Sequence, residues 1–180
     1  GITYEYKNYY SPYLIKTLSN PPIVFREGNS ILASRNSHSI NFGNEIGHQF
    51  DFNKNIYNNI NLSANFSLSH RHQTRNMESI SIMDIINENT PDKLDLYNVF
   101  RQYYVEINGW TFSDRLYYKI GMDNYTEFYN GKNISAFTIP THWVWKLSTG
   151  SSLAMYLETQ IKSDFPEESD FPEEYTNHYI

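Results

Sequence analysis

The chain has 180 residues, a formal net charge of −6 and no Cys, so a disulfide framework, a thiolate metal site and the basic footprint of a nucleic-acid binder are excluded. No run of about 18 apolar residues occurs, which excludes a transmembrane helix. A mean hydropathy of −0.61 leaves a β-barrel open, because only alternate residues of a barrel strand need be apolar.

The length allows one domain with a core. Aromatic residues make up 17%, with 16 Tyr, and Tyr and Trp gather where an apolar surface meets water. In chain order, Ile2, Tyr4 and Tyr6 alternate with Thr3, Glu5 and Lys7, a strand ending in Tyr9 and Tyr10. Residues 11–28, with Pro12, Pro21 and Pro22, form a long connection in which Ile23, Val24 and Phe25 are a candidate anchor. Alternation over 37–52 predicts a second strand, and Asn53, Lys54 and Asn55 a tight turn.

Asn61 to Ser69 then alternates without error. Leu62, Ala64, Phe66 and Leu68 form one face, and small neutral polar residues form the other. A soluble sheet usually turns Lys, Glu or Thr outward. A short polar face opposite an apolar one suits a strand between a wet interior and lipid, although a half-buried soluble strand shares the period. Residues 73–98 break the pattern. Ile82, Ile85 and Ile86 have helical spacing there, so a long loop with one helical turn is predicted.

Strands return at 100–110, with Tyr103, Val105 and Ile107 opposing Gln102, Tyr104, Glu106 and Asn108, and after a turn at 113–114. Leu116, Tyr118, Ile120 and Met122 then face away from Arg115, Tyr117, Lys119, Gly121 and Asp123. After Asn130, Gly131 and Lys132, a strand carries Phe137, Ile139, Trp143, Trp145 and Leu147 on one face, with Pro140 predicting a bulge or local break. Beyond a turn at 149–151, Leu153, Met155, Leu157 and Ile161 oppose Tyr156, Glu158 and Gln160. Two tandem Ser-Asp-Phe-Pro-Glu-Glu hexads occupy 163–174, read as a loop over 164–174, and 175–180 begins another strand.

Connection lengths alternate, long at 11–28, 73–98 and 164–174 and tight at 53–55, 113–114 and 149–151. Outer-membrane barrels place tight turns on the periplasmic side and longer loops outside. The periodic segments also reach the roughly 9–11 residues that a tilted membrane strand needs. The predicted fold is therefore all-β, an antiparallel up-and-down transmembrane β-barrel. Residues 1–180 form a single unit of about eight strands, and the unfinished last strand points to a segment of a larger barrel.

Pro21 to Glu27, Ser37-His38 and Asn44 to Phe50, with Tyr103 to Ile107 and Glu174 to Tyr179, resemble an uncharacterised Bacteroidota outer-membrane β-barrel protein family. The resemblance implies fold and location, and no activity. Its members are longer than this chain, which implies a segment.

Leu62, Ala64, Phe66 and Leu68 are expected to face lipid, so Phe66→Arg should harm assembly more than Asn65→Arg. Trp110, Trp143 and Trp145 are expected to form a periplasmic aromatic belt, and Tyr9, Tyr10, Tyr125 and Tyr129 an outer one, apart from any that point inward. His70 and His72 have a metal-compatible spacing but no third ligand. The acids of 84–95 lack an EF-hand pattern, the acidic hexads suit an exposed loop, and four Asn-x-Ser/Thr sequons read as compositional. No nucleophile, phosphate loop or catalytic carboxylate pair is identifiable.

The expected function is therefore a non-enzymatic outer-membrane barrel, structural or partner-binding in a cell-envelope assembly. Its partners would be outer-membrane lipid and other envelope proteins, with no nucleic acid and no cofactor or metal. The alternatives are a passive pore for small polar solutes and a secreted β-sandwich that stacks sugars on Trp143 and Trp145.

Overall fold

A computed structural model describes residues 1–10, 30–33, 38, 44–57, 59–72, 80–87, 94, 96–129, 132–166 and 173–179. Eight strands form one sheet in chain order, every neighbouring pair antiparallel: β1 (Ile2–Tyr10), β2 (Asn44–Tyr57), β3 (Ile60–His70), β4 (Phe100–Thr111), β5 (Leu116–Tyr129), β6 (Lys132–Ser148), β7 (Ser151–Pro166) and β8 (Glu173–Tyr179). The sheet is open, with β1 and β8 at its edges. A short helix, α1 (Ile82–Asn87), lies in the β3–β4 connection, where the isoleucine spacing predicts a helical turn.

Apart from register shifts at Asn55/Tyr57 and Lys146/Ser148, period two is kept along the strands, so lateral rows share a face. Phe52, Ala64, Val105 and Met122 are register partners in one outer row. Asp51, Asn65, Tyr104, Asp123, Thr138 and Gln160 form the inner row beside it. On the outer face Tyr4, Phe50, Phe66 and Tyr103 make successive ring contacts at 4.6, 6.0 and 5.0 Å. Such cross-strand aromatic pairs add roughly 0.5–1.5 kcal/mol each beyond their area.

Several boundaries differ from the sequence expectation. β2 begins at Asn44 rather than at 37, and His38 lies off the strand against the inner face. Asn53, Lys54 and Asn55 remain in strand, with a register shift between Asn55 and Tyr57, and the reversal follows Tyr57. Cross-strand pairing to β3 outweighs the turn propensity of Asn-Lys-Asn. At Pro140 the expected local break is present as a lapse in pairing, although β6 itself runs on through it. Pairing with β5 lapses only between Ile120↔Thr141 and Asp123↔Thr138, with no residue inserted. Gly121 makes this fit, since a Cβ there would meet the Pro140 ring and the Tyr104 hydroxyl, each at 3.1 Å. Both ends of the acidic hexads are strand, with Ser163 opposite Glu174 and Asp164 opposite Glu173, so 164–166 and 173–174 of the expected loop are strand and 167–172 lie outside the described residues. Residues 11–29, including the candidate anchor, lie outside the described residues.

Phe112, Ser113 and Asp114 have φ of 51°, 54° and 62°. A side chain in this left-handed region costs roughly 1–2 kcal/mol per residue, a cost glycine avoids. Ser113→Gly is therefore expected to stabilise the hairpin by about 1 kcal/mol, read as a higher urea midpoint with an unchanged slope.

Candidate functional site: the polar face and its strap

The two faces invert the arrangement of an ordinary soluble sheet. Asp123, Thr138, Gln160, Gln102 and Glu106 are buried, whereas Val105, Met122, Ile139, Leu157 and Ile161 are each 39–42% exposed. Burial of so many polar groups requires partners. The inner face supplies them: Asn65 donates to Asp51 (2.7 Å) and accepts from Ser67 (2.8 Å), and Gln102 donates to Asp123 (2.9 Å). Glu106 accepts from Tyr104 and from Asn108 (2.9 Å), and pairs with Lys119 at 3.0 Å.

The remaining partners come from described residues of the β1–β2 connection, a strap whose Ile31, Leu32 and His38 bond to this face. The amides of Ile31 and Leu32 donate to the two Glu158 oxygens at 3.0 and 2.7 Å, and Gln160 Nε2 donates to the Leu32 carbonyl (3.1 Å) and to Thr138 (2.9 Å). A second anchor is His38. Its Nδ1 lies 2.8 Å from Glu127 on β5, and its Nε2 lies 3.2 Å from Glu45 on β2 and 3.0 Å from Ser69 on β3. Its ring stacks on Phe100 of β4, with centroids 4.4 Å apart. Tyr125 also donates to Glu127. The strap thus joins β7 to β2, β3, β4 and β5.

Burial would lower the His38 pKa, but the hydrogen bonds to Glu127 and Glu45 outweigh it and raise the value from 6.5 to about 9. The Ser69–His38–Glu127 spacing resembles a hydrolytic triad. With a carboxylate on each nitrogen the imidazole is held protonated, so it serves as a clamp rather than as a general base for Ser69.

Leu62, Ala64, Phe66 and Leu68 all lie on the outer face, but they are not equivalent. Leu68 is 1% exposed, covered with Phe128 by Ile80, Ile85, Leu94 and Val99 of the β3–β4 connection, so it is not open to a surrounding medium as expected. The buried Arg101 donates to the Ile85 carbonyl at 3.2 Å and holds this cover down. Two belt positions fall under the exception for inward-pointing residues. Trp110 lies on the inner face, against Tyr117 (5.3 Å) and under the Lys146 ammonium (3.9 Å). Tyr125 is buried on the same face, against Phe100 and Ala136. Both share the strand parity of Gln102 and Asp123, a signal present in the sequence. Trp143 and Trp145 lie on the outer face, in register with Tyr118 and Leu116. The side chains of Tyr9, Tyr10 and Tyr129 are outside the described residues. His70 and His72 do not converge: His70 meets the Arg71 carbonyl (3.3 Å) and the Tyr97 ring, His72 meets Asn44 (2.8 Å), and no metal-binding cluster occurs among the described residues.

These features define the class: an open, up-and-down antiparallel sheet with an apolar outer face and a strapped polar inner face. No family model, no curated protein and no solved structure matches this chain.

Proposed function

We propose that the sheet is part of the wall of a bacterial outer-membrane β-barrel, a non-enzymatic component of the cell envelope whose interior is filled by its own strap. The observation that carries this reading is the exposed apolar outer face set against the buried polar inner one. From Tyr103 to Thr111 the outer band covers about nine residues, or roughly 30 Å along the strand. Tilted by about 40°, it approaches the ~25 Å apolar band of a membrane barrel.

Closure of eight strands at that tilt needs a stagger of roughly 8–12 residues between first and last strands. β1 and β8 instead stand in the same rows, with Ile2 and His178 linked through the register partners of one outer row. That supports a wall continued by further strands, and agrees with the resemblance to Bacteroidota barrels. The strap, seated on Glu158, Gln160, Glu45 and Glu127, favours a filled structural wall over an open pore. The exposed outer face disfavours a soluble sandwich.

The turns after β2, β4 and β6 share one end of the meander, and the longer connections after β1 and β3 share the other. Gly150→Cys marks the first end, where a new side chain meets nothing within 4 Å. Met83→Cys, 63% exposed, marks the second. Fractionation should place the protein in the outer membrane, soluble only with detergent. An impermeant thiol reagent on intact cells should label Met83→Cys and spare Gly150→Cys. Extraction without detergent, or equal labelling, overturns the reading.

A further inference from the structure

We propose that the end of the outer face beside the β4–β5 turn is a binding site for the phosphate headgroup of an anionic glycerophospholipid, in the leaflet that the tight turns face. The inference rests on the membrane reading above. An open cleft of about 510 Å³ lies there, lined by Phe112, Ser113, Arg115, Leu116 and Trp145. Its size is that of a small-molecule site. Its chemistry is split as a lipid headgroup is split. Phe112 and Trp145 are 71% and 53% exposed, and with Leu116 they offer apolar surface. Arg115 offers a guanidinium, which matches phosphate oxygens with two parallel N–H bonds.

Two further observations point to a ligand. Arg115 forms no ion pair among the described residues, and the neighbouring Asp114 carboxylate is engaged by Asn59 (2.9 Å). The turn is also held in a costly conformation, left-handed at three successive non-glycine residues. Backbone strain of this kind collects at functional positions. The Arg115 amide bonds to the carbonyls of Thr111 (3.2 Å) and Phe112 (3.3 Å), and its carbonyl accepts from Lys146 N (2.9 Å), which fixes the base of the guanidinium arm. The cleft is continuous with the apolar outer band, since Leu116, Trp145 and Leu153 are register partners at its border. Acyl chains along that band would bring a phosphate to Arg115.

Native mass spectrometry of the full chain in non-ionic detergent tests this, with long-chain phosphatidylglycerol as the probe and diacylglycerol as its phosphate-free counterpart. The wild type should retain phosphatidylglycerol in preference to diacylglycerol. Arg115→Ala should bind it about tenfold more weakly, a change of about 1.4 kcal/mol. Arg115→Lys should recover part of the loss, and Trp145→Leu should weaken binding less than Arg115→Ala. Excess inorganic phosphate should not displace the lipid, since it lacks the acyl contacts. Equal retention by Arg115→Ala and wild type, equal binding of diacylglycerol, or displacement by inorganic phosphate overturns the site. Purification without detergent would instead overturn the membrane reading, so the two failures are distinguishable.

Discussion

Replacing Met122 by Arg is expected to destabilise the protein by ~2–4 kcal/mol when it is folded in lipid vesicles, the cost of a cation at the midplane of a barrel's lipid face. Met122 stands in the central outer row beside Val105 and is 42% exposed. On a soluble sheet an exposed Met so placed would accept Arg within about 0.5 kcal/mol. The same substitution therefore separates the two environments, and urea unfolding in vesicles measures it. A loss below 0.5 kcal/mol would count against lipid at this face. The comparison suggested by sequence, Phe66→Arg against Asn65→Arg, is blunted by the structure. Asn65 is buried and bonded to Asp51 and Ser67, so Arg there breaks packed polar contacts of its own. Ser63, on the same face and in register with Asn53 and Glu106, is the better inward control, and Arg there should cost much less.

His38→Ala should release the strap. The substitution removes the cation between the buried Glu45 and Glu127, and breaking a buried ion pair by removing one partner costs ~3–5 kcal/mol. The pH dependence has a definite sign. The folded-state pKa is raised from 6.5 to about 9, so the clamp contributes fully below about pH 6.5 and loses that contribution as pH rises through about 9. Among the described residues the groups facing the ring include Glu45 from β2, Ser69 from β3, Phe100 from β4 and Glu127 from β5, with Tyr125 behind Glu127. Hydrogen exchange at the Ile31 and Leu32 amides, corrected for the intrinsic pH effect, should show protection falling over that range in the wild type. In His38→Ala, protection should be low throughout. A pH-independent wild type, or an unchanged variant, would remove His38 as the clamp.

Alternation was legible in the sequence because it is local. A strand turns successive side chains to opposite faces whatever it pairs with, so Leu62 to Leu68, Tyr103 to Ile107 and Leu153 to Ile161 declare a two-faced sheet. The inward positions of Trp110 and Tyr125 were legible by the same parity. Strand ends were less so, because Asn53 to Asn55 carry turn signals that cross-strand pairing overrides.

What the tertiary structure alone decided are contacts between residues far apart in the chain. His38 meets Glu127 across 89 positions, and Ile31 meets Glu158 across 127. Neither pair leaves a periodic trace, since a hydrogen bond from a connection to the sheet depends on which strands that connection lies against. The cover over Leu68 has the same origin. Its alternation with Ser67 and Ser69 assigns it a face, but only the folding of the β3–β4 connection onto that face buries it. Period fixes the side on which a residue stands; the path of the connections fixes what stands against it.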